Sequence, residues 1–192
     1  MSTQIFPRSV KRRKAERPPA PLTASRPELI PGGSDTELRA LVHGLLAFSS
    51  RLESIRAGLA RCIGLTPIQY TTLISVAHLE TAGGVSVNQL ATHLQLSGAF
   101  ITIETGKLLK QSLLTKQPDP ADRRRVCLNT TPKARHLLAT LAPTQVAVND
   151  QLFEFLDAAS FRRLRAIVDS MNSCANRALS RLSYLSESER PA

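Results

Sequence analysis

The most restrictive feature of the sequence is a helix, a tight turn and a second helix in quick succession. Residues 86–89 (SVNQ) have the capping-box signature of a helix start, which predicts a short helix from Val87 to Leu94. Residues 95–97 (QLS) then predict a three-residue turn, with Ser97 capping a further helix from about Gly98 to Gln111. This is the layout of a helix-turn-helix.

Two short runs of strand-forming residues follow, at 113–116 and 126–129. Proline, acidic and arginine residues separate them, which predicts a hairpin after the second helix. Together these elements indicate a mainly α fold with a small β-hairpin wing.

Long helical patterns flank this lobe. Apolar residues recur at helical spacing over 36–62, behind a Ser34/Glu37 capping box. Thr66, Pro67 and Gln69 predict a second helix start, with the helix running to about Leu79. Thr131 and Pro132 open a last helical region over 132–183, which we expect to divide near Asp157 or Ser160.

Composition sets the number of domains. A chain of 192 residues with 42% hydrophobic residues suits one folded domain with a core of its own. Residues 1–34 contain half of the prolines and little apolar periodicity, which predicts a disordered tail. We therefore expect a domain over 35–183, with a flexible C-terminus at 184–192.

The charge balance points to a polyanionic partner. The formal net charge is +10, and the tail contributes seven Lys/Arg against two Glu, a net +5. The sequence contains neither a membrane-spanning apolar run nor a signal peptide, so we expect a cytoplasmic, nucleoid-associated protein without a membrane partner. Three widely spaced cysteines suit reduced thiols.

Enzyme signatures are missing from the sequence. There is no P-loop, no GxGxxG, no GxSxG and no pair of catalytic carboxylates. The four histidines have no partner at metal-ligand spacing. We expect neither catalysis, nor a cofactor, nor a bound metal.

Three stretches together, LTPIQYTTL, SVNQLATHLQLS and KLLKQSLLTKQPDPADRRRVCLNTTPKARHLL, resemble the multiple-antibiotic-resistance regulator (MarR) family of winged helix-turn-helix transcription factors. The resemblance covers about residues 36–182. It implies a helix-turn-helix at about 86–112, a wing at about 113–130, and dimerisation helices at about 36–62 and 132–183. It also implies a homodimer on a pseudo-palindromic double-stranded DNA site, and a repressor relieved by a small, often aromatic, effector or by an oxidant.

The wing tip is the most specific part of this resemblance. Pro118 and Pro120 restrict the backbone of the tip and stiffen it. A stiff tip can direct one of Arg123, Arg124 and Arg125 into a minor groove while the others meet phosphates, and the family's tip favours the first two. Asp122 is expected to orient an arginine or to cap the turn.

The first half of the second helix is the expected reader of base edges. Direct readout would rest on Thr102, Thr105 and Lys107, with Ala99 or an exposed apolar side chain against a thymine methyl. Glu104 can accept from cytosine or pair with Lys107, and Phe100 and Ile103 can face either DNA or the core. Further candidates for DNA contact, by capping geometry or positive charge, are Ser97, Gly98, Lys110, Lys116, Ser86 and Gln89.

Two other candidate sites have weaker support. The family layout gives candidate effector contacts at His43, Phe48, Arg51, Tyr70 and His78, each of which can equally be a core or surface residue. Cys62, near Arg56 and Arg61, is either a redox-sensing thiol or a packed side chain. The alternatives to a specific regulator are therefore a redox-sensing regulator and a module for non-specific DNA binding or protein contact.

Overall fold

The computed structural model describes residues 20–81, 83–118 and 126–188. The helices and strands, in chain order, are α1 (Thr36–Cys62), α2 (Pro67–Leu79), β1 (Val85–Ser86), α3 (Val87–Leu94), α4 (Gly98–Lys110), β2 (Leu114–Pro118), β3 (Val126–Thr130), α5 (Pro132–Leu152) and α6 (Ala158–Ser188). The mainly α fold class with a small β wing is confirmed. The chain divides into two compact units between Ile55 and Arg56.

In the first unit, the segment before α1 is ordered by hydrogen bonds to the start of that helix. Pro27–Leu29 and Pro31–Gly33 each form one turn of 3₁₀ helix. Asp35 accepts hydrogen bonds from Thr23 N (2.8 Å) and Thr23 Oγ1 (2.6 Å), and pairs with Arg39 Nη2 at 2.9 Å. The prediction of disorder through residue 34 is therefore wrong for the residues from 20 onward, while residues 1–19 lie outside the described residues.

The Asp35 carboxylate is held in its charged form by these partners. The hydrogen bond from Arg39 and then those from Thr23 keep the pKa of Asp35 well below its usual value, and the same pair raises the pKa of Arg39. Ser34 was expected to cap α1 in a box with Glu37. Its Oγ instead lies 2.8 Å from Thr36 Oγ1 and accepts from Thr36 N, so the box prediction is wrong.

In the second unit, three helices and a small sheet enclose the core. α2 starts at the predicted box, where Gln69 N donates to Thr66 Oγ1 (3.3 Å) and Thr66 N to Gln69 Oε1 (3.1 Å). α2, α3 and α4 pack on one another, and α2 also packs on β3. The fully buried side chains at the centre are Leu73, Val76, Leu90, Ile101, Leu108 and Leu128.

The sheet is antiparallel, in the order β1-β3-β2. β1 pairs Val85 with Leu128, and it was absent from the sequence-based prediction. Gly84 makes this pairing possible, since its φ is +80° and a Cβ there would lie 2.8 Å from the Leu128 carbonyl oxygen. β2 and β3 form the predicted hairpin, with Leu114 opposite Thr130 and Pro118 opposite Val126.

The last two helices begin at capping residues. Thr131 Oγ1 accepts from Ala134 N at 3.0 Å and starts α5. Asp157 Oδ1 accepts from Ser160 N at 2.7 Å, so the predicted division of the last helical region near Asp157 or Ser160 is confirmed. Hydrogen bonds from the backbone N–H and then from the side chain of Ser160 lower the pKa of Asp157. α6 continues to Ser188, so the expected flexible end at 184–192 is wrong for residues 184–188, while 189–192 lie outside the described residues.

Candidate nucleic-acid interface

The turn between α3 and α4 sets the start of the second helix. Gln95 ends α3 in the left-handed conformation, and Leu96 N donates to the Ala91 carbonyl at 3.0 Å. Ser97 then caps α4, accepting from Phe100 N at 3.2 Å. The predicted helix-turn-helix is therefore formed, and its second helix starts with backbone N–H groups of the kind that bind phosphate.

α4 has one buried face and one exposed face. Ile101, Glu104, Thr105 and Leu108 are buried in the lobe. The opposite side, named here the outer face of α4, consists of Ala99, Phe100, Ile103, Gly106, Lys107 and Lys110. Ile103 lies at its centre. The residues three and four positions before it, Phe100 and Ala99, and those three and four positions after it, Gly106 and Lys107, all belong to the same face.

The two apolar side chains of uncertain orientation both belong to this face. Phe100 is 39% exposed and Ile103 is 58% exposed, so neither is a core residue. Of the alternatives left open by the sequence, the structure supports the one in which both are accessible to DNA. Large apolar side chains exposed on one helical face indicate a binding surface when they are grouped.

The polar side chains of α4 are largely engaged within the helix. Thr102 Oγ1 donates to the Gly98 carbonyl at 2.8 Å, and Thr105 Oγ1 donates to the Ile101 carbonyl at 2.8 Å. Lys107 Nζ lies 2.6 Å from Glu104 Oε1. Glu104 is 3% exposed and its Oε2 is buried with no hydrogen-bond partner among the described residues.

Burial corrects two sequence-based predictions and decides between two alternatives for Glu104. Thr105 is 1% exposed, so it cannot meet base edges. Of the two roles left open for Glu104, the pair with Lys107 is the one formed, and burial excludes contact with cytosine in this arrangement. Ser86 is also buried, with its Oγ bonded to both Gln89 N (3.2 Å) and Gln89 Oε1 (2.9 Å), so its predicted contact with phosphate is wrong.

The other predicted contacts are accessible. Ser97, Ala99, Thr102, Lys107 and Lys110 are exposed around α4, and Gly98 is half-buried. Gln89 is exposed on α3, although its Oε1 accepts from Ser86 N at 2.9 Å. Lys116 is exposed on β2. The predicted wing residues Pro120, Asp122, Arg123, Arg124 and Arg125 lie outside the described residues.

A partly buried connection holds the base of the wing, and sequence analysis missed it. Glu80, directly after α2, accepts from Thr130 N and from Thr130 Oγ1, each at 2.7 Å, at the end of β3. Arg135 Nη1 donates to the Thr130 carbonyl at 2.7 Å. Glu80 and Thr130 are fifty positions apart, so no local sequence pattern predicts the contact. A single carboxylate at the end of a helix is compatible with many roles.

The candidate effector residues fall in both units, which are described separately. In the first unit His43, Phe48 and Arg51 are exposed on α1. In the second unit Tyr70 is buried, which raises the pKa of its hydroxyl against the opposing effect of Arg56, and its oxygen accepts from Gln145 Nε2 at 3.2 Å.

The remaining effector and redox candidates are both exposed. His78 lies at the surface, with its ring centroid 6.0 Å from that of His93. Cys62 is exposed, so the alternative of a thiol packed within the protomer is wrong for it. Its redox role remains a prediction.

The described ranges offer no metal site and no membrane span. Among residues 20–81, 83–118 and 126–188, no group of three or more His, Cys, Asp or Glu side chains is placed to hold a metal ion. No helix in these ranges combines the length and apolar character that crossing a membrane requires.

Comparison with known proteins identifies the family. The MarR family model matches residues 63–125. A putative transcriptional regulatory protein for the hcr operon of Thauera aromatica is 31% identical over 118 residues, which cover 56% of this chain and 69% of the relative. The chain belongs to the MarR family. It is a DNA-binding transcription regulator of MarR type, and members of this family are not enzymes.

Solved structures agree on the fold. An S. aureus MepR–DNA complex has a TM-score of 0.59 at 18% identity, covering 68% of this chain and 93% of MepR. CouR from Rhodococcus jostii RHA1 bound to p-coumaroyl-CoA has a TM-score of 0.60 at 21% identity, covering 68% of this chain and 90% of CouR. At these identities the likeness establishes the winged-helix architecture alone.

Proposed function

We propose that the protein is a homodimeric repressor that binds a pseudo-palindromic DNA site and is released by a small aromatic effector. In each half-site α4 enters the major groove and the wing reaches the adjacent minor groove. The observation that carries this proposal is the outer face of α4, an accessible helical surface that begins at a capped N-terminus and ends in two lysines.

Charge along this side of the lobe supports contact with a duplex. Lys107 and Lys110 are exposed on α4, and Lys116 is exposed on the adjoining β2. β2 and β3 pair as far as Pro118 and Val126, and residues 119–125, which carry the three arginines, join those paired positions. Lysines beside a reading helix position it on phosphates, whereas an arginine suits a narrow minor groove.

The dimer is supported by an uncovered apolar stripe on α6. This helix of 31 residues has no buried residue, and apolar side chains recur along it at alternating spacings of three and four. The members of the stripe are Phe161, Leu164, Val168, Met171, Ala175, Ala178, Leu182 and Leu185. Such a heptad repeat packs against another helix by inserting side chains between those of its partner. A second copy of the chain supplies a matching stripe by two-fold symmetry.

α1 shows the same pattern in the first unit. Leu41, Leu45, Phe48 and Leu52 alternate at spacings of four, three and four, and they are between 37% and 58% exposed. A surface helix of a monomer does not usually present so many large apolar side chains in one line. We therefore assign α1 and α6 to the dimer interface, as the family layout implies.

The dimer is tested by its mass in solution. The Leu182→Arg variant introduces a charge into the α6 stripe, so sedimentation should show a shift toward monomer at micromolar concentration. Ser180→Arg on the same helix lies off the stripe, is also exposed, and is the matched control. A wild-type protein that sediments as a monomer contradicts the dimer directly.

DNA binding is tested by selecting bound sequences from a random pool with the full chain. We expect two inverted half-sites whose centres lie one helical turn apart, about 34 Å. Affinity for the selected site should fall steeply as salt rises, because lysine and arginine contacts displace counterions from phosphates. Recovery of sequences without a common motif contradicts the specific regulator.

The basic tail separates the specific regulator from a non-specific DNA-binding module. Deleting residues 1–19 removes positive charge but leaves Thr23 and its bonds to Asp35. A specific regulator should keep its half-site preference after this deletion. Near-complete loss of DNA binding favours the module instead.

Relief by an effector is proposed by analogy with CouR, which was solved with p-coumaroyl-CoA. The accessible candidates are His43, Phe48 and Arg51 in the first unit and, separately, His78 in the second, since Tyr70 is buried. Aromatic acids and their thioesters are the compounds to screen, with release of a labelled operator as the measurement. Transcription from a reporter carrying the selected site distinguishes repression, in which expression rises on deletion of the regulator, from activation.

A further inference from the structure

The centre of the outer face of α4 is apolar, which is unusual for a surface that must read hydrogen-bonding base edges. Ile103 occupies the centre at 58% exposure, and the ring of Phe100, three residues earlier, adjoins it at 39% exposure. Ala99 completes this patch on its N-terminal side. Both Ile103 and Phe100 are exposed among the described residues.

The hydrogen-bonding groups near this patch are committed elsewhere. The Thr102 hydroxyl donates to the Gly98 carbonyl, and the Lys107 ammonium is paired with Glu104. Thr105 is buried. The major groove therefore meets an apolar centre on α4, flanked by positive charge toward its C-terminal end.

One apolar group is presented by bases in the major groove, the methyl group on C5 of thymine. Cytosine methylated at C5 carries the same group at the equivalent position. The charge around the patch favours a nucleic acid over an apolar protein surface, because Lys110 lies on the same face and Lys116 is exposed on the adjoining β2. Gly106, also on this face, has open space where a Cβ would lie, so DNA can approach the helix backbone there.

We propose that Ile103, supported by Phe100, recognises a C5-methyl group on a pyrimidine in each half-site. Specificity at that position then comes from contact with a methyl group rather than from a hydrogen bond. This inference rests on the proposed placement of α4 in the major groove, and it adds the chemical group that the helix selects.

The test begins with the site selected from the random pool, bound by the full-length wild-type protein. Each thymine of the half-sites is replaced in turn by deoxyuridine, which lacks only the methyl group. One thymine per half-site should show a loss of about fourfold in affinity, the equivalent of about 0.8 kcal/mol for one buried methyl group. A site that carries 5-methylcytosine in place of that thymine should be bound more tightly than the same site with unmethylated cytosine at that position.

Protein variants assign the effect to Ile103. Ile103→Ser should bind the thymine and deoxyuridine sites equally, whereas Ile103→Val should retain most of the difference. Val146→Ser on α5 also shortens an exposed β-branched side chain, and it should retain the full thymine preference. Circular dichroism and low-salt binding to unrelated DNA verify that the variants fold.

The outcomes separate this inference from the proposed function. A selected half-site without a methyl-dependent position, or an unchanged deoxyuridine penalty in Ile103→Ser, overturns the methyl contact while leaving the regulator intact. Failure to select any common site overturns the proposed function itself, and the methyl contact with it.

Discussion

The connection between Glu80 and Thr130 should be a major determinant of the stability of the lobe. Glu80→Ala removes both oxygens that accept from Thr130 N and Thr130 Oγ1 at 2.7 Å. Thr130 is 5% exposed, so its backbone N–H has little access to replacement water. The truncation therefore leaves a nearly buried donor unsatisfied.

The expected loss of stability in Glu80→Ala follows from the two hydrogen bonds that Glu80 accepts. Hydrogen bonds to a charged group contribute about 1.5 to 3 kcal/mol each, and Glu80 is half-buried, which favours the lower end of that range. We expect Glu80→Ala to lower the free energy of unfolding by about 3 kcal/mol in total. Glu80→Gln keeps one acceptor and gains a donor that the Thr130 hydroxyl can accept from, so its loss should be about half as large.

The measurement is equilibrium unfolding in urea at one fixed protomer concentration, because dimerisation contributes to the apparent stability. Thr130→Val is the matched control, since it removes the hydroxyl bond and retains the backbone bond. It also removes the longer bond that Arg135 Nη1 donates to the hydroxyl at 3.2 Å, so it should cost at least half as much as Glu80→Ala. A loss below about 0.5 kcal/mol for Glu80→Ala, the range of ordinary surface substitutions, would refute the argument.

Three further predictions concern other parts of the molecule. Gly106→Ala should stabilise the lobe by about 0.5 to 1 kcal/mol in urea unfolding, because glycine is a poor helix former, yet weaken operator binding by filling the outer face of α4. Replacing both Arg123 and Arg124 by alanine should weaken binding to all sequences. The slope of log affinity against log salt concentration should become shallower by about 0.9 for each phosphate that is no longer neutralised. An unchanged slope in a salt titration removes the wing from the mechanism. The bonds from Arg39 and Thr23 that lower the pKa of Asp35 stabilise the folded state above the unfolded pKa near 3.8, and that stabilisation is lost as pH falls from there toward the lower folded value. Amide exchange at Thr23 N should therefore accelerate in Asp35→Asn at neutral pH, and in the wild type only under strong acid.

Local signals in the sequence were sufficient for the helices of the lobe. The capping boxes at Thr66 and Ser86 place the starts of α2 and α3, and both helices have the predicted bounds. Each box is formed by residues three positions apart, so the sequence contains all the information required. The capped start of α4 was equally predictable.

Interactions over long sequence distances were not predictable in this way. Asp35 was not assigned a role in the sequence, because its partner Thr23 lies twelve positions away in a segment whose composition suggested disorder. β1 has two residues and gains its strand geometry from pairing with β3, more than forty residues later. The orientation of α4 posed a related problem: Phe100 and Ile103 are apolar, and the face they occupy depends on how the helix docks on α2 and α3.

The composition of the outer face of α4 allows two contributions to DNA binding to be measured separately, the affinity that comes from phosphate contacts and the preference for thymine. We expect Lys107, Lys110 and the wing arginines to contribute affinity through phosphates, and this part of the binding free energy should weaken with salt. The contact from Ile103 to a methyl group carries no charge, so it should be nearly insensitive to salt. Raising the salt concentration should consequently lower the affinity of wild type and Ile103→Ser in parallel, with the thymine preference of the wild type preserved at each concentration. A preference that disappears with rising salt would instead place base recognition on the charged side chains.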